Sequence, residues 1–207
     1  SADGYESAFI GDRIGVNDAG LIASRAITGN MFSSEVFGFG GPGGEYSISG
    51  PPTSVDSSFS QPGRVSESGE VALIESAFDF PLPDERRVIV TDGASERVVA
   101  STLDGLFTAY SIEGLPVLLA SGDVAFVGFT SSGRQLVYEE SGSSFSFVDF
   151  STADTDLGSA LVDWNVSGGG EGSGAPHGSW MNDSGQFVFV ANLADGTRWI
   201  VRADPVP

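Results

Sequence analysis

The sequence predicts an all-β protein, most simply a four-bladed β-propeller built of small antiparallel sheets. The first observation is a phrase of eight residues that occurs four times, at 16–23, 65–72, 118–125 and 181–188. Its glycines, Gly20, Gly69, Gly122 and Gly185, are separated by 49, 53 and 63 residues. A strand-bearing repeat near that period is the mark of a propeller or array. The second is that every phrase runs into an alternating or apolar strand pattern. The third is that 29 Gly and 10 Pro punctuate the apolar runs, as turns between many short strands require. With 207 residues and 40% hydrophobic composition, the chain can bury one core, so residues 1–207 are taken as a single domain. A β-sandwich with a similar strand count is the alternative fold.

The elements follow in order. The strands after the repeated glycines are expected at 21–28, 71–78, 124–130 and 187–193. Second strands are expected at 35–39, 86–91, 135–139 and 197–202, the β-branched and aromatic Arg86–Thr91 stretch being the clearest. Ser132-Gly133 and Asp195-Gly196 are hairpin signals between first and second strands, since Gly supplies the positive φ of tight turns. Third strands fit 45–49, 97–102 and 144–150, and fourth strands 55–59, 107–112 and 160–166. No stretch carries sustained helical periodicity. The units are therefore expected at about 11–63, 64–116, 117–178 and 179–207, the last with only two strands. The strand-like segment 5–10, with Tyr5, Ala8, Phe9 and Ile10, is expected to complete the last sheet, within one chain or by exchange between chains. The tail Asp204-Pro205-Val206-Pro207 is a poor strand, because proline donates no ladder hydrogen bond.

Asn17-Asp18-Ala19-Gly20 and Asn182-Asp183-Ser184-Gly185 resemble the Asn-Asp-x-Gly repeats of bacterial secreted β-propeller-like proteins. Ser132-Gly133-Arg134-Gln135-Leu136 is similar to the turn of WD-like propeller blades, without its Pro-Asp. The repeated turn also loosely resembles the Asp-box of sialidases, a structural element there. The third unit departs from the pattern, having Leu119-Ala120 where the others have Asn-Asp or Ser-Glu. The resemblance spans all four units and implies an extracellular interaction platform. It implies no active site.

Composition narrows the chemistry. The formal charge is −19, and all nine basic residues are Arg, with no Lys. Such a surface repels phosphate backbones and anionic lipid, which argues against nucleic acid as a partner. There is no Cys, which excludes a thiol nucleophile and thiolate metal sites but is compatible with export. No apolar run reaches membrane-spanning length. The start at Ser1, in a small polar stretch, is that expected of a signal-cleaved mature protein.

Candidate sites are few. His177 is the only His and cannot by itself build a multi-His metal site. The glycine-rich run 168–174 lacks the Lys of a phosphate loop and is expected to be a surface loop. Asp154 and Asp156, with Asp149 and Asp163 nearby, are weak candidates for a Ca²⁺ site, the closing Glu of a calcium loop being absent. Asn165 and Asn182 head glycosylation triplets, although Asn182 also lies in the repeated turn. Of the three Trp, Trp199 is expected in the core, whereas Trp164 and Trp180, flanking the glycine-rich loop, are candidates for an exposed sugar platform, burial between blades being the commoner fate of Trp. Asp18, Glu67 and Asp183 recur at one turn position, as structural turns do.

The reading is a non-catalytic extracellular structural protein that associates with itself at a cell surface or in a filament, with no cofactor. The alternatives are a glycan- or Ca²⁺-binding module and a carboxylate-dependent glycoside hydrolase, which needs only two suitably spaced acids.

Overall fold

The computed structural model describes residues 9–27, 35–41, 46–49, 57–59, 64–77, 85–108, 112–140, 144–148, 150, 157–166 and 180–204. The chain is all-β, with four antiparallel sheets that follow one another along the sequence, none of them closed. Sheet 1 holds β1 (Phe9–Val16), β2 (Ile22–Ile27), β3 (Glu35–Gly40) and β4 (Tyr46–Ser49). Sheet 2 holds β5 (Ser57–Phe59), β6 (Val71–Ala77), β7 (Glu85–Thr91) and β8 (Glu96–Ser101). Sheet 3 holds β9 (Ile112–Leu118), β10 (Val124–Thr130), β11 (Gly133–Glu140) and β12 (Ser144–Val148). Sheet 4 holds, among the described residues, β13 (Leu161–Asn165), β14 (Phe187–Leu193) and β15 (Arg198–Ala203). Neighbours in sequence are neighbours in each sheet.

The units are shifted by one strand from the sequence expectation. The repeated turn is not the start of a unit but the bend that follows its first strand. Its first arm is Val16 in β1 and Leu118 in β9, and in the other two units it is Val65 and Met181, which bridge to Val71 and Phe187. Residues 57–59, expected to end the first unit, pair with Glu75–Ala77 in sheet 2. Residues 161–165, expected in the third, pair with β14 in sheet 4. Phe107 is not in a strand; it follows the 3-10 turn Thr102–Asp104, and β9 is Ile112–Leu118. The reason is pattern strength. The first strands are short or bulged, with register shifts in β1, β9 and β13, so a two-residue period is hard to read in them.

The N-terminal strand also differs from expectation. Phe9 and Ile10 pair with Ile27 and Ala26 of sheet 1, and not with the last sheet. They are the natural first strand of their own hairpin, being contiguous with Ile14–Val16. Tyr5 and Ala8 lie outside the described residues. Among the described residues nothing pairs with the outer edge of β15.

Consecutive sheets pack face to face. Sheets 1 and 2 meet through Leu21, Ala23, Val65, Val71, Leu73 and Ile89. Sheets 2 and 3 meet through residues that include Ala72, Ile74, Val88, Val124, Phe126 and Val137. Sheets 3 and 4 meet around Phe150, Trp164, Phe187 and Phe189, with ring centroids 5.0–5.3 Å from Phe150. β6 and β10 are apolar on both faces, Val71–Ile74 and Val124–Val127 being buried throughout, so each serves two interfaces at once.

Candidate functional site

The four repeated turns share one geometry. In each, the second residue of the phrase donates its N–H to the carbonyl four residues on, and the glycine N–H returns to that second residue. The pairs are Asn17 with Leu21, Ser66 with Glu70, Leu119 with Asp123 and Asn182 with Gln186, at 2.8–3.1 Å. Gly20, Gly69, Gly122 and Gly185 have φ of 77°, 88°, 87° and 74°, the left-handed region that glycine enters without strain. Asn17 and Asn182 reinforce the turn with side-chain oxygens that accept from Leu21 N–H at 2.9 Å and Gln186 N–H at 3.0 Å.

The turns also touch one another at equivalent positions. Asn17 Nδ2 donates to the Ser66 carbonyl at 2.7 Å, joining second positions of units one and two. Ala120 N–H donates to Asp183 Oδ1 at 2.9 Å, joining third positions of units three and four. Arg64, which precedes the second phrase, donates to Asp183 Oδ2 at 2.6 Å and so ties unit two to unit four. Asp183, Glu67 and Asp18 surround the Arg64 guanidinium and hold its proton more tightly than usual, the Asp183 hydrogen bond being the largest cause. That same bond pulls the Asp183 carboxyl below its ordinary range. Sequence patterns identified the turns but not Arg64, which stands outside the repeated phrase.

The remaining candidates separate. Asp149, Asp154, Asp156 and His177 lie outside the described residues. Asp163 has Arg134 Nη1 at 2.7 Å as its partner. A guanidinium there competes with any cation. No group of three or more metal-ligating side chains occurs among the described residues. Asn182 is exposed, its Nδ2 donating to Gln186 Oε1 at 2.9 Å, and Asn165 lies in β13 opposite Val190.

The Trp199 expectation is overturned, and Trp164 and Trp180 take the buried alternative rather than forming an exposed platform. Trp164 and Trp180 are 3% and 9% exposed in the core between sheets 3 and 4, and Trp180 Nε1 donates to the Leu115 carbonyl at 2.7 Å. Trp199 is 52% exposed. It faces the same way as its cross-strand partner Ala191, which is fully buried, and as Val201 and Ala203, which pack against the core, yet at its own end of β15 it is uncovered. Ile200, on the opposite face, is 80% exposed.

The most distinctive surface is therefore the β15 edge. Among the described residues sheet 4 has three strands where the others have four, and its last strand presents Arg198, Trp199, Ile200 and Arg202 outward. An edge strand with unpaired backbone groups and exposed apolar side chains is a template for another strand. No helix among the described residues is long and apolar enough to cross a membrane. The chain matches no protein-family model and no curated protein.

Proposed function

We propose that the protein is a non-catalytic extracellular structural subunit that associates with copies of itself through the open edge of its fourth sheet. The four sheets are blades of a small propeller in this reading. Its support is that sheets pack in sequence order while equivalent turn residues of different units touch, as they must around a common axis.

The observation that carries the function is that, among the described residues, no strand pairs with the outer edge of β15. β15 exposes Trp199 and Ile200 between Arg198 and Arg202. On a chain of net charge −19, two of the nine cationic residues bracket this edge. An acidic, extended partner is complementary to it, and a second copy of the chain is such a partner. Backbone ladder bonds supply affinity in strand addition, and head-to-tail repetition of the contact gives an open array.

Light scattering on the size-separated protein, followed by electron microscopy, tests this. The expected result is assembly that grows with concentration and is lost in Ile200→Lys with the melting temperature unchanged. Because Ile200 is exposed, this substitution leaves the core intact. A strictly monomeric protein at every concentration overturns the proposal, and so does assembly that Ile200→Lys leaves unaltered.

A further inference from the structure

A second surface, on the opposite edge of sheet 4, is built differently. Where the β10–β11 hairpin meets β13, an open cavity of about 270 Å³ is lined by Phe129, Arg134, Leu161, Val162, Asp163 and Trp164, with the Ser132-Gly133 turn at its rim. Arg134 is held from three sides. Its Nη1 donates to the Trp164 carbonyl at 2.6 Å and to Asp163 Oδ1 at 2.7 Å, and its guanidinium carbon lies 4.9 Å from the centre of the Phe129 ring. The Arg134 side chain is 20% exposed, that of Asp163 55%. Beside them Val162 is 68% exposed, an apolar wall at the mouth.

From this geometry we infer that the cavity is a binding site for a neutral sugar ring. The charge arrangement selects the ligand class. Asp163 already balances Arg134, and the chain as a whole is strongly acidic, so a free anion gains little here. A cation meets the Arg134 guanidinium. A wholly apolar ligand would strip water from an ion pair, which is costly. A sugar ring satisfies all three conditions. Its hydroxyls donate to the half-exposed carboxylate, which has roughly four acceptor sites of which Arg134 uses one. Its C–H face covers Val162 and the exposed part of Phe129. The cavity is a little smaller than the roughly 300–1,000 Å³ of drug-sized pockets, which suits a single ring. Arg134 is fixed before the ligand arrives, so little ordering opposes binding.

The inference rests on other residues than the β15 edge, and its test reads binding rather than assembly. Isotope-labelled full-length protein is titrated with D-glucose, D-galactose, D-mannose and N-acetyl-D-glucosamine, with D-glucuronate as the charged comparison, while backbone amide shifts are followed. Saturable shifts centred on Gly133, Arg134, Asp163 and Trp164 are expected for at least one neutral sugar. They are expected to weaken at least tenfold in Val162→Arg, which blocks the mouth from an exposed position, and in Asp163→Ala, which removes the acceptor. Absence of saturable shifts with all four neutral sugars overturns the inference. Undiminished binding by both variants, or tighter binding of glucuronate than of every neutral sugar, does the same.

Discussion

Arg64 and Asp183 are 119 residues apart in sequence and joined by a 2.6 Å ion pair, while the other oxygen of Asp183 accepts from the Ala120 N–H at 2.9 Å. One carboxylate thus ties three of the four repeat units together. The two side chains are 41% and 40% exposed, so solvent screens the pair. An exposed ion pair of this kind contributes about 0.2–1 kcal/mol. Arg64→Met is expected to lower the melting temperature by roughly 1–4 °C for a domain of this size. Asp183→Ala should cost more, because it also removes the acceptor for Ala120. Calorimetry on the two variants and on the double variant checks this. Equal losses in the two single variants would show that the Ala120 bond is energetically silent.

The same carboxylate makes a pH prediction. Asp183 titrates below the ordinary range because Arg64 donates to it, and Asp92 does so because the Ser95 and Ala94 N–H groups cap it at 2.7 and 2.8 Å. A carboxyl depressed in the folded state contributes stability above its unfolded pKa of about 4, and loses that contribution as pH falls towards the folded value. Glu96 runs the other way. Burial raises it, with help from the nearby Glu75 charge and against the pull of Arg87, so its ionisation opposes folding as pH rises through its folded value. Melting temperatures measured from pH 7 down to pH 3 should therefore fall less steeply in Asp183→Asn than in the parent protein. Glu96→Gln should be neutral or slightly stabilising at pH 7.

Glu75 is fully buried on β6 and accepts from Arg87 of β7, its cross-strand partner. Its second oxygen, Oε1, has no hydrogen-bond partner among the described residues. Removing one member of a buried pair strands the other charge, at a cost of about 3–5 kcal/mol, whereas replacing both with apolar groups is often neutral. Urea denaturation should show a large loss for Arg87→Met and recovery of most of it in Glu75→Leu/Arg87→Met. A double variant as unstable as the single one would mean that the pair itself is favourable.

The turn glycines are not equivalent in what they tolerate. A methyl group at Gly69 would lie 3.1 Å from Leu21 Cδ1, whereas at Gly122 it would meet nothing within 4 Å. Both have left-handed φ, which costs an L-residue roughly 1–2 kcal/mol. Gly69→Ala should therefore be the more destabilising of the two by thermal melting. Gly128, in the middle of β10, makes a third case with ordinary φ: a Cβ would lie 2.8 Å from the Phe107 ring. Gly128→Ala is expected to overpack that contact at about 1–3 kcal/mol. If it melts like the parent, Phe107 moves aside readily.

Local chemistry was written in the sequence because it needs only neighbours. Asn17 and Asn182 followed three residues on by Gly specify a turn whose bonds close within five residues, and Asp195-Gly196 specifies the β14–β15 hairpin in the same way. The apolar runs 71–74 and 124–127 specify strands buried on both sides. From these, an all-β chain of small antiparallel sheets followed.

What tertiary structure alone decided is pairing and cover. The three residues of β5 carry no period strong enough to say which sheet they join; the ladder to Glu75–Ala77 says it. The strand period places Trp199 on the same face as Ala191 but does not say which positions of that face the core covers: Trp199 is exposed while Trp164 and Trp180 are buried. The hydrogen-bonding partner of Arg64 is not in the adjacent repeated phrase; the carboxylate it donates to comes from the fourth unit. The physical reason is common to all three. A turn or a strand period depends on contacts between residues close in the chain, whereas strand partner, exposure and long-range ion pairs depend on which distant segments the folded core brings together.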